Sequence, residues 1–167
     1  MIHPYLKEFI EQNINLIDSN EFIKLYLAWC DDNSRPDNIL FHEVYSMLIE
    51  AGIDPLLHMN VIPFDYFLEY EANELIIPEG VHTIQKEAFS GCKLNRLIIP
   101  SSVKQVSDYL FVNSSIKMIE WHGSPSLSDF ALDGTDFEGT VFKIEQGSSI
   151  DRDLNTFTAP NFTIDYL

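Results

Sequence analysis

Apolar positions in the first sixty residues recur at three- and four-residue spacing, and from about residue 62 they recur at a longer fixed period. Over residues 4–17, Tyr5, Leu6, Phe9, Ile10, Ile14 and Leu16-Ile17 recur near helical spacing and predict an amphipathic helix. Ser19 is placed to cap a second helix with Phe22, Ile23, Tyr26, Leu27, Trp29 and Cys30 on its apolar side. The polar, turn-forming stretch 31–36 reads as a loop. A third helix is predicted from about Asn38 to Ala51, presenting Leu40, Phe41, Val44, Tyr45, Leu48 and Ile49, with Gly52 where a terminating glycine belongs. Asp54 and Pro55 then have the cap and first-position chemistry of one further helical turn.

The second pattern is an internal repeat. Leu75-Ile76-Ile77-Pro78 returns 22 residues later as Leu97-Ile98-Ile99-Pro100. At the same offset Val81 meets Val103, Ile84 meets Val106, Phe89 meets Phe111 and Leu94 meets Ile116. The series extends backward to Ile62 and Phe67, and forward to Ile119 and Trp121. The next turn is one residue shorter, with Leu127, Ala131-Leu132 and Asp133-Gly134 answering Ile84, Ala88-Phe89 and Ser90-Gly91 two turns earlier. Each unit holds a short aliphatic strand, a proline stop, a Val-x-x-Ile bend and a bulky plug. Such a unit cannot bury its apolar side alone, and stacked units bury it continuously.

These residues resemble the leucine-rich repeats of the BspA type, whose unit reads roughly Leu-x-x-Ile-x-Ile-Pro-x-x-Val-x-x-Ile-Gly-x-x-Ala-Phe-x-x-Cys. The stretch from Leu75 to Cys92 is the best copy; the match is specific over residues 75–115 and partial over 62–74 and 116–139. Gln85 and Ser107 stand where the family has glycine. The resemblance implies an α+β fold: an N-terminal helical segment (1–60) capping a short right-handed solenoid of 22-residue repeats (61–139), then a C-terminal cap (140–167). In that cap, residues 140–144 read as a last strand, 147–151 as the start of a short helix and 160–167 as a closing strand. The resemblance also implies recognition of a protein by the repeat surface rather than catalysis. Being short and acidic, the chain looks like the small stand-alone repeat proteins of bacteriophages and mobile elements, which extends the expectation to an inhibitor or adaptor of a host protein.

Inward-pointing Leu75, Ile77, Leu97, Ile99, Ile119 and Trp121 leave Glu74, Ile76, Arg96, Ile98, Met118 and Glu120 pointing out. These six are the expected partner-binding residues, with Ile76 and Ile98 as apolar centre and Glu74, Arg96 and Glu120 as rim. Two arrangements remain open: a bare face, or one covered by the N-terminal helices or the tail.

Charge adds a second expectation. Twenty-six acids against ten bases give −16, and the middle of the chain is more nearly balanced than either end. A field of that sign repels nucleic acid and anionic membranes and suits a basic protein partner, or serves solubility alone. Asp31, Asp32, Asp37, Asp129, Asp133, Asp136 and Glu138 form the candidate acidic surface. The alternative function is therefore an acidic nucleic-acid mimic blocking a DNA- or RNA-binding enzyme, an antitoxin-like protein against a basic toxin being physically similar. The run at Asp129–Glu138 lacks the alternating ligands of a calcium loop.

Cys30 and Cys92 are far apart and belong to no Cys-x-x-Cys pair, so they read as packed, reduced thiols. No nucleotide-binding, Walker or nucleophile-elbow motif occurs, and His3, His42, His58, His82 and His122 are scattered without metal-site spacing. No catalytic residue, metal or cofactor is expected. The first residues carry no basic region leading into an apolar run, and no stretch of about eighteen apolar residues exists. These features predict a cytoplasmic protein.

Overall fold

The computed structural model describes residues 41–50, 52, 54–157 and 161–167. The predicted helices over residues 4–30, with Cys30, lie outside them. The chain divides into two compact units, Met1–His58 and Met59–Leu167.

In the first unit, helix α1 (Phe41–Glu50) buries Val44, Tyr45 and Leu48, positions spaced to share one face. It stops at Gly52, whose φ of +81° is readily adopted only without a Cβ and whose N–H donates to the Ile49 carbonyl at 2.9 Å. Asp54 accepts from the Leu56 N–H at 2.9 Å and opens a 3₁₀ turn, Pro55–His58. Third helix, glycine stop and Asp-Pro start agree with the sequence expectation.

The second unit is a parallel β-solenoid of about five turns. One side is a six-stranded sheet: β2 (Glu71–Ile76), β4 (Lys93–Ile99), β6 (Ser115–Ile116), β7 (Met118–Trp121), β9 (Val141–Ile144) and β10 (Thr163–Tyr166). Its order is β10-β9-β7-β4-β2, with β6 also on β4. The registers Leu75–Leu97, Leu97–Ile119 and Ile119–Phe142 put the predicted inward Leu75, Leu97 and Ile119 in one row with Phe142, and all four are buried. Ile99, Trp121 and Ile144 form a second buried row.

A second sheet arises where the sequence suggested only a bend. The Val-x-x-Ile segments extend into two-residue strands β1 (Val61–Ile62), β3 (Thr83–Ile84), β5 (Gln105–Val106) and β8 (Ser126–Leu127), paired in that order. Two residues per strand carry too weak a period to be read as strand; the stacking of successive coils supplies the pairing.

The third side is irregular in outline but regular in hydrogen bonding. Phe67 N–H donates to the Ala88 carbonyl, Glu69 to Ser90, Phe89 to Leu110 and Gly91 to Val112, all between 2.8 and 3.1 Å. Backbone buried in a turn is thus satisfied by the next coil. Beneath it run the plugs Phe67, Phe89 and Phe111, fully buried and stacked at centroid distances of 5.5 and 5.8 Å. Cys92 packs beside them. Its thiol donates to the Phe67 carbonyl at 2.9 Å, and burial pushes its pKa up to about 12, a packed thiol as expected.

The residues at the missing family glycines, Gln85 and Ser107, have ordinary negative φ. Left-handed backbone instead recurs at Asp65, Glu87 and Tyr109, and at Glu69, Gly91, Asn113 and Gly134. The repeat is therefore one of backbone conformation more than of residue identity. The one-residue shortening is present in the small sheet, where Val106 pairs with Leu127. In the large sheet the step from Ile119 to Phe142 is 23, the extra residues falling between Gly134 and Val141.

The C-terminal part has the predicted strand, helix and strand. Helix α2 (Ser149–Leu154) is capped by Ser148, which accepts from the Asp151 N–H at 3.1 Å, while Asp151 accepts from the Gly147 N–H at 2.7 Å. Phe137, Phe142, Phe157 and Phe162 meet edge to face and close this end of the core.

Candidate functional site

The outward positions of the large sheet form two rows. Glu74 pairs in register with Arg96, and Met118 with Val141. In the second row Ile76 is beside Ile98, Ile98 beside Glu120, and Glu120 beside Lys143. Parallel pairing at constant offset brings all six predicted residues onto one face. Ile76 is 51% exposed, and Ile98 and Met118 are half-buried.

Charge divides this face. Arg96 spans the two rows, with its guanidinium 2.9 Å from Glu74 Oε1 and 2.7 Å from Glu120 Oε2. His122 Nε2 is 3.0 Å from the other oxygen of Glu120. The Arg96 hydrogen bond, opposed in part by burial, holds the Glu120 carboxyl below its usual range. Glu120 is thus less a free rim acid than the covered centre of a network, its side chain only 16% exposed. The sequence carried no pairing signal for His122, because it lies outside the six-residue ladder. Beside the network, Asn95 donates to Asn73 at 2.7 Å and Lys93 pairs with Glu71. With Lys117 these residues border a shallow groove of about 420 Å³.

Of the acidic candidates, Asp31, Asp32 and Asp37 lie outside the described residues. Asp129, Asp133, Asp136 and Glu138 are exposed, and Asp136 accepts from Asn161. Asp153, absent from the sequence expectation, joins them across the fold. Burial first, then Asp133 and Asp129, raise its carboxyl above the ordinary range. Asp153 lines a groove with Asp129, Ser126, Leu127 and Arg152. Nearby, Tyr109 and Phe130 stack at 6.1 Å, with the Lys86 ammonium 5.5 Å from the Tyr109 ring centroid. Among the described residues no three His, Cys, Asp or Glu side chains are grouped to hold a metal, and no helix is long and apolar enough to cross a membrane.

Parallel coils, an inward aliphatic row and a varied outward row define a leucine-rich-repeat protein, a class whose solenoids are in general protein-interaction scaffolds. The chain belongs to the BspA-type leucine-rich-repeat family: the model for the BspA type leucine rich repeat region matches it over residues 60–162, in six copies. Comparisons with curated proteins and with solved structures gave no match.

Proposed function

We propose that this chain is a non-enzymatic binding module that engages a protein partner across the outer face of the large sheet, at Glu74, Ile76, Arg96, Ile98, Met118 and Glu120. The observation that carries this reading is the adjacency of Ile76 and Ile98 on a sheet whose other outward positions are mostly polar or charged. Aliphatic area of this kind stabilises a complex by its removal from water, while the Arg96 network fixes orientation. An inhibitor or adaptor of a host protein would work through this contact.

The acidic residues support a second reading, in which a basic, nucleic-acid-binding protein meets Asp129, Asp133, Asp136, Glu138 and Asp153. The two separate by salt and by mutation. Capture from host lysate by the tagged chain, washed at low and high salt, is expected to retain one partner at high salt. Ile76→Asp with Ile98→Asp is expected to weaken that complex by about 100-fold or more, the scale of a central contact cluster. A partner lost in salt and unaffected by the double variant would sink the face reading in favour of the acidic one.

A further inference from the structure

The outer edge of β10 is a second surface, independent of the sheet face. Thr163, Asp165 and Leu167 turn their backbone toward β9. The N–H of Thr163 donates to the Thr140 carbonyl and that of Leu167 to the Ile144 carbonyl, both at 3.0 Å, and Asp165 pairs in register with Lys143. In a strand both polar backbone groups of a residue point to one side, and sides alternate along the chain. The N–H and C=O of Ile164 and Tyr166 therefore point away from β9, where no strand among the described residues pairs with them. The side chains agree with the backbone. Ile164 continues the row of Leu75, Leu97, Ile119 and Phe142, and Tyr166 that of Ile99, Trp121 and Ile144. Those seven are buried, whereas Ile164 is only half-buried, Tyr166 is 51% exposed and Leu167 55%.

We infer that this edge accepts an extended segment of a partner protein as one more parallel strand, with apolar residues over Ile164 and Tyr166 and a basic residue between them, beside Asp165. The ladder dictates the chemistry. Its outward row runs Glu120, Lys143, Asp165, alternating in sign, so the next place calls for a cation. The exposed Glu145 and the Asp151 that accepts from the Tyr166 hydroxyl add negative charge at the same end. A second copy suits the edge poorly: antiparallel pairing of β10 about its centre sets Asp165 against Asp165, between chains that each carry −16. Main-chain hydrogen bonds would supply affinity and the alternating side chains specificity.

The probe is a fluorescent peptide with the alternation of β9 itself, Thr-Val-Phe-Lys-Ile-Glu, added to the intact chain. At saturation, exchange of the Ile164 and Tyr166 amides is expected to slow by about tenfold, while the Thr163 and Asp165 amides, already bonded to β9, change little. Replacing the peptide lysine by glutamate is expected to weaken binding by about tenfold, and Asp165→Lys in the protein to restore it toward that glutamate peptide. Ile164→Pro removes an outward N–H and no bond to β9, so it is expected to abolish binding with the β9 pairing retained. If that variant unfolds, the charge swap decides. Absence of binding, binding without protection at Ile164 and Tyr166, or indifference to the lysine each overturns the inference. So does edge protection that appears without peptide and disappears on dilution, which would assign the edge to a second copy.

Discussion

The inner and outer rows of the large sheet belong to the same strands and recur at the same offset, yet they follow different rules. Inward, Leu75, Leu97, Ile119 and Phe142 vary only within large apolar residues, because each must fill the space between two coils at interior density. Outward, the place after each runs Ile76, Ile98, Glu120, Lys143, so aliphatic, acid and base all fit one backbone position. The solenoid constrains what it buries and leaves the rest open, which is how one architecture presents many different surfaces. Substitutions on either side measure how sharply constraint and freedom divide.

The largest effect is expected on the constrained side. Phe89 is fully buried and stacked between Phe67 and Phe111. Phe89→Ala leaves a cavity that neighbouring coils cannot close, at a cost of about 3–5 kcal/mol. Urea denaturation of the second unit measures it. A loss under about 1 kcal/mol would mean that the plug column tolerates voids and that the inner row is less constrained than its burial implies.

The next effect concerns the turn that returns each coil. Gly134 has φ +79°, and a Cβ there would lie 2.8 Å from Val112 Cγ2. Gly134→Ala therefore meets both strain and a clash, and is expected to cost about 1–3 kcal/mol. Asn113, one coil earlier, holds the same left-handed backbone with a side chain. Asn113→Gly is expected to change stability by no more than about 0.5 kcal/mol, thermal melts of the two variants measuring both effects. Equal losses at both positions would mean that the coils are not equivalent there.

Much of this division was legible in the sequence. The 22-residue offset revealed the large sheet, its inward row, the plug column and the six outward residues, because burial repeats the same residue types at the same places. The small sheet escaped, since strands such as Thr83–Ile84 are too short to show a period and depend on pairing between coils. The left-handed positions escaped for another reason: Glu87, Tyr109 and Asn113 hold that backbone without glycine, so no residue type marks it. On the outer face the ladder gave neighbours but not partners. Arg96 reaches Glu120 diagonally, and His122 reaches the same acid from outside the ladder. Asp153 joins Asp129 and Asp133 only through the docking of α2, which no periodicity announces.

The Arg96 network offers a pH-dependent test of the freer face. With Glu120 held below its usual value near 4.5, the folded state favours the ionised acid. That contribution is complete above 4.5 and disappears as pH falls through the lowered value. Arg96→Ala removes the first cause of the shift and leaves Glu74 and Glu120 without their cation. It is expected to destabilise the fold at neutral pH, and to do so less at an acid pH below the lowered Glu120 value, where that carboxyl is protonated in either protein. Thermal melts at both pH values measure the difference. An identical loss at the two would place Arg96 among packing residues instead.

The smallest effect has the opposite sign and tests whether charge beside the small sheet is tolerated or favoured. Asp153 is near the C-terminal end of α2, where a negative charge opposes the helix dipole. Burial and the nearby Asp133 and Asp129 raise its carboxyl above 3.8. A raised acid binds its proton more tightly in the folded state, so its contribution is most favourable below 3.8 and is lost as pH rises through the folded value. At neutral pH the ionised side chain is a cost to the fold. Asp153→Asn keeps the shape, removes the charge, and is expected to raise stability at pH 7 by about 0.5 kcal/mol, the scale of one part-exposed charge interaction. The gain should shrink toward zero near pH 3 and, for the part that arises from Asp129 and Asp133, fall with added salt. Asp153 is then an acid kept at a small loss of stability, as an interaction surface would keep it. A variant less stable than the parent at pH 7 would show instead that the carboxylate is bonded within the fold, and would remove Asp153 from the acidic surface.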